Sequence, residues 1–325
     1  MRFSLFPKKK KKPKFTVAFY NLENLFDPED HAQTLDGDFT PNGHKKWTPE
    51  RYGRKLEKLA TTITKIGMEH HGHAPILIGV AEVENGRVLQ DLLRTAPLDG
   101  IDYDYIHYES PDERGIDTAL IYRSNYFTVL QSEALPLLVH NDQGIRDTTR
   151  DILYIHGTLN QEEVHIFVNH WPSRREGTEQ TAYKRMRAAK VVREKMAQIQ
   201  RAQGNVNVLV MGDFNDDPSA ESIQALLEES PLYNPMEQLH VPKEKGSSNY
   251  RRKWSLFDQI LISHSFFDHA RGTHSFDGAH IFDPTFLMES EGKYKGNPFR
   301  TYAGERYLGG YSDHFPVYVI LTYNP

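Results

Sequence analysis

The chain contains no cysteine in its 325 residues. This absence excludes disulfide bonds, a thiolate zinc site and a cysteine nucleophile. Long apolar runs are also missing, since no stretch approaches the ~20 residues of a membrane-spanning helix. Basic charge is not in excess, because 39 Lys and Arg stand against 44 Asp and Glu, a formal net charge of −5. A polyanionic partner would therefore have to be held by a local basic patch or by a metal ion.

What is present is an ordinary globular composition, with 38% hydrophobic residues and abundant Tyr and Phe. No internal repeat and no clean linker divides the chain, so we predict one domain over 15–325. Residues 1–14, with lysines at 8–12, are predicted to be a disordered basic tail, the alternative being an arm that attracts polyanions. No signal-peptide core follows this tail, which favours the cytoplasm without deciding against export. We expect a monomer.

One short apolar run, 208–211, leads directly into Gly212-Asp213-Phe214-Asn215. Such a run predicts a buried strand, and its abrupt end would place Asp and Asn side chains at the rim of a sheet. Open α/β sheets carry their chemistry at such rims. Taken alone, these four residues could equally form a tight turn, because Asp and Asn favour turns for local reasons.

Other predicted strands bring similar side chains to their ends. Strands at 16–20, 76–81 and 164–168 are followed by Asn21, by Glu82 and by Asn169-His170. Near the C-terminus, Asp258 and Asp313-His314 instead precede apolar strands. If these late strands run antiparallel to the early ones, their starts share the edge where the others end. Chance clustering of so many polar groups at one rim is improbable, so we predict a functional site there.

The intervening chain reads as helices and loops of an α/β fold. Thr48-Pro49 is a helix start, and the helix it opens connects the first two strands in a βαβ pattern. Further helices are predicted at about 87–95, 179–201 and 219–229, and strands at 118–123 and within 127–168. The segments 21–48 and 230–253 are predicted to be loops, and 272–311 a long binding loop over the site.

The residue types at the rim indicate a particular chemistry. Oxygen ligands without cysteine suit a hard cation such as Mg²⁺, with Mn²⁺ or Ca²⁺ as alternatives. A hard cation beside His–carboxylate pairs fits phosphoester hydrolysis by in-line attack of water. Asp258 and His314 would form one pair. His170 would face the phosphate, with Asp117 either its orienting partner or an ordinary turn residue.

Cationic side chains near this rim are candidates for binding phosphate. Arg174 and Arg175 follow His170 within a few residues, and we assign them, with Asn169, to substrate binding. Most cations on the 179–201 helix are expected to face solvent. The segment 249–254 combines Arg and Lys with Tyr and Trp, a mixture that can hold a nucleic-acid strand by stacking and charge, although it also occurs on ordinary surfaces.

The ordered set of short blocks resembles the endonuclease/exonuclease/phosphatase superfamily. The blocks are Tyr20-Asn21-Leu22-Glu23-Asn24-Leu25-Phe26-Asp27, Ala81-Glu82-Val83-Glu84-Asn85, Asn169-His170-Trp171-Pro172-Ser173, Gly212-Asp213-Phe214-Asn215, Phe257-Asp258-Gln259-Ile260 and Ser312-Asp313-His314-Phe315-Pro316. The resemblance spans nearly the whole chain. It implies a four-layer α/β sandwich, in which two mixed β-sheets pack face to face with helices outside.

The resemblance also implies roles for individual residues. Glu82 would be the principal metal ligand, with Asn21 and Asp313 near the metal. The catalytic set would comprise His170, Asp213, Asn215, Asp258 and His314, with Asp117 placed by alignment only. Many relatives carry a second acidic residue close after the first-strand Asn, and here Glu23 and Asn24 are the candidates.

Three functions are weighed. We predict a metal-dependent endonuclease acting on DNA, because the block at 169–173 looks most like the deoxyribonuclease-type branch and 249–254 is basic and aromatic. The alternative is a phosphatase or phosphodiesterase for inositol-phosphate or phospholipid headgroups, which the acidic net charge and the long 272–311 segment favour. A binding module without activity would require an incomplete site, and every main block is present.

Overall fold

Residues 12–31, 33–140, 143–241 and 244–325 are described by a computed structural model. Most of the predicted tail, residues 1–11, lies outside the described residues. Lys14, which we had placed in the tail, is the first residue of β1 and pairs with Thr322. Among the described residues, none of the helices combines the length and apolarity needed to cross a membrane.

The strands alternate with few helices. In chain order the strands are β1 (Lys14–Leu25), β2 (Leu77–Val83), β3 (Tyr103–His107), β4 (Asp117–Arg123), β5 (Phe127–Leu135), β6 (Val139–His140), β7 (Arg146–Asp147), β8 (Ile152–Leu159), β9 (Glu162–His170), β10 (Asn207–Asp213), β11 (Leu232–Tyr233), β12 (Ser248–Tyr250), β13 (Lys253–Ser255), β14 (Asp258–Ser263), β15 (Thr273–Ile281), β16 (Tyr302–Ala303), β17 (Arg306–Tyr307) and β18 (Val317–Asn324). The α-helices are α1 (Pro49–Lys65), α2 (Met68–His71), α3 (Gly86–Leu93), α4 (Ala182–Gln203) and α5 (Glu221–Leu227).

Two mixed six-stranded sheets form the centre of the molecule. The first has the order β15-β18-β1-β2-β4-β3 and the second β11-β14-β10-β9-β8-β5. One apolar cluster joins side chains of both sheets, including Phe19 and Met211, and continues to the inner face of α1. A second cluster lies between the outer face of the second sheet and α4 and α5. The predicted four-layer α/β sandwich is confirmed.

The sheets approach each other closely at Gly79 of β2. A Cβ atom built on this glycine would lie 2.6 Å from Sδ of Met211 on β10, inside van der Waals contact. Glycine is therefore favoured here by close packing rather than by an unusual backbone conformation. A side chain at this position would force the Met211 side chain to move.

Strand direction brings the polar strand ends to one edge. β1 and β2 run parallel, as do β9 and β10. β14 is antiparallel to β10, and β18 is antiparallel to β1. The reversal predicted for the two late strands is therefore confirmed, and their N-terminal ends meet the C-terminal ends of the early strands.

Several local predictions were wrong. β1 continues past Asn21 to Leu25, so the first part of 21–48 is strand rather than loop. The predicted loop 230–253 holds β11 and the β12–β13 hairpin. The predicted binding loop 272–311 begins with β15, a nine-residue strand of the first sheet, so the loop proper begins after Ile281.

The cations of α4 also differ from expectation. Lys184 and Arg185 are buried instead of solvated. The reason is that Arg185 donates to the buried Asp216 carboxylate, whereas Lys184 pairs with the more exposed Asp147 and Glu176.

Candidate active site

Three strands of the second sheet place His170, Asp213 and Asp258 side by side. Asp213 is the register partner of His170 on β9 and of Asp258 on β14. All three side chains are buried. His314, from the segment before β18, adds its imidazole, with Nδ1 2.6 Å from Oδ2 of Asp258. The hydrogen bond fixes the ring so that Nε2 is the nitrogen left for the site.

The first sheet contributes Asn21 and Glu82 to the same place. Nδ2 of Asn21 donates to Oδ2 of Asp213 at 3.1 Å and lies 3.4 Å from Oε1 of Glu82. His170 Nε2 is 3.8 Å from both Glu82 Oε1 and Asp213 Oδ2. The predicted convergence of distant chain segments is therefore present: both sheets contribute carboxylates and an amide to one compact group.

Unusual backbone conformations hold this group in place. Glu82, Asn24 and Asn215 all have left-handed φ values of 62°, 50° and 50°. The Asn24 amide donates to Oε2 of Glu82 at 2.8 Å, and the Asn215 amide donates to Oδ1 of Asp213 at 2.9 Å. Such conformations cost on the order of 1–3 kcal/mol for a non-glycine residue and cluster at functional sites. At Asn24 and Asn215 this conformation directs a backbone amide at a carboxylate of the site.

Burial and crowding set the protonation of the group. Burial, and then the neighbouring charges of Asp258 and Glu82, raise the pKa of Asp213 to about 7 against the opposing effect of His314. Burial opposes protonation of His314, yet the Asp258 carboxylate raises the pKa of that imidazole well above 6.5. Burial and the guanidinium groups of Arg150 and Arg114 lower the pKa of His170 well below 6.5. The site therefore combines a neutral imidazole, an imidazolium and an acid that titrates near neutrality.

The donor set suits a hard divalent cation. Carboxylate oxygens of Asp213 and Asp258 and a ring nitrogen of His314 all lie within 4.8 Å of one another, and Glu82 and Asn21 adjoin them. The protonated His314 is a neighbour of the ion and not one of its ligands. Oδ1 of Asp258 is buried without a hydrogen-bond partner among the described residues. Carboxylates crowded in this way repel one another unless a cation neutralises them. Oxygen donors with few nitrogens are the ligands of Mg²⁺, Mn²⁺ and Ca²⁺.

Two residues assigned from sequence occupy other positions than expected. Asp117 does not orient His170: its Oδ2 lies 3.0 Å from Nε2 of His107, and its Oδ1 accepts from the Ser110 amide at 3.0 Å. Asn169 is fully buried, and its amide donates to the Met211 carbonyl while its oxygen accepts from Nε1 of Trp171. Asn169 therefore braces the rim, with its side-chain oxygen and one amide hydrogen bonded to neighbouring protein groups.

The two arginines near the rim, Arg174 and Arg175, differ in whether the protein already holds their guanidinium groups. Arg174 is already engaged, because its Nε donates to the Asn215 carbonyl at 2.6 Å and its Nη2 to Asp216 Oδ1 at 2.5 Å. Arg175 is exposed and lies close enough to act electrostatically on His170. Arg175 is therefore the better phosphate contact of the two. Asp313, at the mouth of the site, has its Oδ2 3.3 Å from Nη2 of Arg300.

Sequence reasoning did not identify several residues that support the site. Arg114 donates to Oδ1 of Asn24 and reaches Glu82 Oε2 at 4.0 Å, and Arg150 donates to Asp112 and to the Trp171 carbonyl. Neither has a motif of its own.

Glu23 and Asn24, the two candidates for the position of a second acidic residue, contact different parts of the protein. The Glu23 carboxylate turns away from Glu82, accepts from the Thr301 amide at 2.6 Å and lies 3.8 Å from Nζ of Lys55. Burial, and then the charge of Asp313, raise its pKa to about 7. Glu23 therefore ties the 282–316 segment to β1, and Asn24 is the residue that contacts Glu82.

Replacing Arg185 with methionine should lower the free energy of unfolding by about 3 kcal/mol, because removing one partner of a buried ion pair leaves the other charge uncompensated. Arg185 is buried, and its Nε donates to Oδ2 of Asp216 at 2.7 Å just after the Asp213 strand end. Urea denaturation measures the change. Lys190→Met on the exposed face of the same helix is the matched control. If Arg185→Met and Lys190→Met are equally stable, the buried Arg185–Asp216 pair does not stabilise the fold as expected.

Comparison with known proteins agrees with this geometry. A sequence model of the Endonuclease/Exonuclease/phosphatase family matches residues 16–323. A search of curated proteins found no match. Among solved structures, a Bacteroides thetaiotaomicron endonuclease/exonuclease/phosphatase family protein aligns with a TM-score of 0.59 at 20% identity, over 97% of this chain and 100% of that one.

Two further solved structures share the architecture. A mannosyl-6-phosphatase of Bacteroides thetaiotaomicron aligns with a TM-score of 0.58 at 20% identity, over 95% of this chain and 100% of that one. Danio rerio TDP2, complexed with a single-strand DNA product, aligns with a TM-score of 0.55 at 16% identity, over 95% and 99%. At these identities the likeness establishes the fold.

Proposed function

The chain belongs to the endonuclease/exonuclease/phosphatase family, and we propose that this phosphoester hydrolase is a Mg²⁺-dependent endonuclease that acts on DNA. Mn²⁺ or Ca²⁺ could take the place of Mg²⁺, and the assays below separate the three. The observation that carries the proposal is a basic, aromatic cleft that opens directly beside the site.

The cleft has a volume of about 990 Å³ and lies between the β12–β13 hairpin and the segment 289–308. Its lining includes five cationic residues against three acidic ones, so the cleft is locally basic in a chain that is acidic overall. The cations are Arg251, Arg252, Lys293, Arg300 and Arg306. Tyr250 and Tyr294 are 69% and 52% exposed along it. Cations that follow a backbone and rings that stack on bases are what a single nucleic-acid strand requires.

Asp313 lies between the cleft and the catalytic residues. This residue lines the cleft and is the chain neighbour of His314. A strand lying along the cleft would therefore place one phosphodiester among His170, Asp213 and His314 and the next phosphates against the arginines. DNA-bound TDP2 among the structural relatives supports this choice of substrate.

The residues of the site supply the proton transfers. When bound, a divalent cation neutralises phosphoryl oxygens and lowers the barrier to attack by water. Asp213, held through both oxygens, is placed to accept a proton from the attacking water. The neutral His170 and the protonated His314 are placed to donate to developing negative charge on phosphorus-bound oxygens. Arg175 adds positive charge at the rim.

The double variant Arg251→Gln, Arg252→Gln should bind single-stranded DNA on the order of tenfold more weakly, and the slope of log K against log salt should fall by about 1.4, since each phosphate contact on a single strand contributes about 0.7. Fluorescence anisotropy of a labelled oligonucleotide without divalent metal measures both. Lys190→Gln, Arg201→Gln on exposed α4 is the charge-matched control. If both double variants lose affinity equally, the cleft is not the binding surface.

A phosphatase or phosphodiesterase for inositol-phosphate or phospholipid headgroups is the second candidate. The mannosyl-6-phosphatase among the structural relatives and a cleft size within the range of small-ligand pockets favour it. A substrate panel of plasmid and single-stranded DNA, RNA, phosphoinositides and sphingomyelin, each with Mg²⁺, Mn²⁺ or Ca²⁺, separates the two. Hydrolysis of the headgroup substrates without cleavage of any DNA would replace the endonuclease proposal.

A further inference from the structure

A second group of buried acids lies behind the active site, where β1 and β2 end. It consists of Asp27, Asp36 and Glu84, which are 1%, 1% and 6% exposed, together with His31. None of these residues belongs to the catalytic set described above. We refer to the four residues as the rear cluster.

Each carboxylate of the rear cluster has one oxygen fixed by a backbone amide. Glu84 Oε2 accepts from the Asp27 amide at 2.6 Å, and Asp36 Oδ2 accepts from the His31 amide at 3.1 Å. The other oxygens, Glu84 Oε1 and Asp36 Oδ1, are buried and receive no hydrogen bond from a donor group of the described residues. The two side chains lie close enough to share a proton when no cation is bound. His31 Nε2 is likewise buried without a partner. A buried polar atom without a partner costs about 1–3 kcal/mol, so three in one place need an explanation.

These atoms point toward one another at distances that fit a metal ion. His31 Nε2 lies 3.4 Å from Glu84 Oε1 and 3.7 Å from Asp27 Oδ1, too far for good hydrogen bonds. Ligand atoms of Asp27, His31 and Glu84 all lie within 4.8 Å of one another. Two ligand atoms bound to one tetrahedral ion at about 2.1 Å lie about 3.4 Å apart, which is close to the distances between these atoms.

We propose that the rear cluster binds a divalent transition-metal ion, with zinc the best fit. An imidazole nitrogen beside carboxylate oxygens is a zinc or manganese donor set, whereas Mg²⁺ and Ca²⁺ prefer oxygen alone. The charge also fits. Without a metal ion, the available counter-charges are a proton shared by Glu84 and Asp36 and a protonated His31. Arg87 is largely exposed, is bonded to Glu29, and reaches only Asp27 of the rear cluster, at 3.8 Å. A doubly charged ion placed between the carboxylates balances more of this charge.

The ion would join the ends of two strands that carry catalytic groups. Asp27 lies two residues past the end of β1, and Glu84 lies two residues after Glu82, whose backbone is in the left-handed region. The bound ion would hold the turn that aims Glu82 at the site. The rear cluster is thus a positioning site, independent of which phosphoester the enzyme hydrolyses.

The test is metal binding, measured apart from activity. The full chain, stripped with a chelator, is titrated with Zn²⁺ by calorimetry, and with Co²⁺ while the visible absorption of tetrahedral cobalt is recorded. With the active site saturated with Mg²⁺, we expect one zinc per chain, at least tenfold weaker zinc binding in His31→Gln, and unchanged zinc binding in His269→Gln, an exposed control. Glu82→Gln, which alters the active site, should leave the zinc of the rear cluster in place. Glu84→Gln should behave as His31→Gln does.

Two results would overturn the proposal. One is the absence of stoichiometric zinc binding, which would leave the shared proton and a protonated His31 as the counter-charges of the rear cluster. The other is binding that Glu82→Gln abolishes and His31→Gln leaves intact, which would place the ion in the catalytic group. The side chain of His31 is 43% exposed, so its replacement should leave the fold intact, and circular dichroism of each variant verifies this. Neither result depends on whether DNA is cleaved.

Discussion

Asp213→Asn should lower kcat by about 10³-fold while leaving the fold intact, because general acid–base groups contribute roughly 10²–10⁴-fold to rates. Asparagine keeps the shape of the side chain and can still accept from the Asn215 amide, which is 2.9 Å away in the native protein. It cannot accept a proton from water. The measurement is a rate under saturating substrate and metal, with whichever substrate the panel identifies.

The same substitution should stabilise the metal-free protein at alkaline pH. The pKa of Asp213 is raised to about 7 in the folded state, from 3.8. The folded state therefore binds more protons between these values, and stability contributed by this group falls as pH rises through that window. Above it the charged carboxylate is destabilising, an effect that asparagine removes.

The shift from 3.8 to about 7 corresponds to about 4 kcal/mol at about 1.4 kcal/mol per pKa unit, and the lost hydrogen bond from Asn21 offsets part of it, so the expected gain at pH 8 is about 3 kcal/mol. Thermal unfolding in chelator at pH 5 and pH 8 measures the difference. Asp268→Asn, an exposed control, should change neither rate nor stability. An Asp213→Asn enzyme that retains its activity would remove Asp213 from the mechanism.

The rim itself was predictable because it follows from strand direction. Apolar runs ending in Asn21, Glu82 and Asp213, and runs beginning after Asp258 and His314, determine one edge once the late strands are antiparallel. That inference needs only periodicity and topology, both of which are local or nearly local signals. The βαβ unit through α1 was predicted for the same reason, with Thr48 as the helix cap.

The partners of individual side chains were not predictable in this way. Asp117 binds His107 of the neighbouring strand rather than His170, and Arg114 reaches Asn24 across ninety residues of chain. Such choices depend on rotamers and on which acceptor is buried without a partner, and neither is encoded by spacing. Asn169 shows the same limit, because a polar residue at a rim can brace the rim as well as face substrate.

The length of β1 and the identity of β15 were missed for a different reason. β1 continues through Glu23 and Asn24, which have left-handed φ values and interrupt the apolar alternation that marks a strand. β15 contains Gly278 at a shift of register between β15 and β18, and its burial is mixed. Strands that bend to deliver side chains to a site lose the regular pattern by which sequence reveals them.

Asp258→Asn should lower kcat by about 10²-fold or more at neutral pH and move the alkaline limb of the pH–rate profile to lower pH. The Asp258 carboxylate lies 2.6 Å from Nδ1 of His314 and outweighs the burial that would otherwise lower the pKa of that ring. Without this charge the pKa of His314 falls, so the imidazolium is lost at lower pH.

The direction of this shift distinguishes two roles for His314. If the imidazolium stabilises negative charge on the phosphate, as proposed, activity declines as pH rises through the pKa of His314, and Asp258→Asn brings that decline earlier. If instead the neutral ring accepts a proton, the acidic limb moves to lower pH and activity at mildly acidic pH increases.

The dependence of folding stability on pH is the same for both roles of His314, because it depends only on the raised pKa. A folded-state pKa above the unfolded value gives stability that is complete below the unfolded pKa and is lost as pH rises through the folded one. The native enzyme should therefore lose more stability than Asp258→Asn on passing from neutral to alkaline pH, which denaturation at a series of pH values measures.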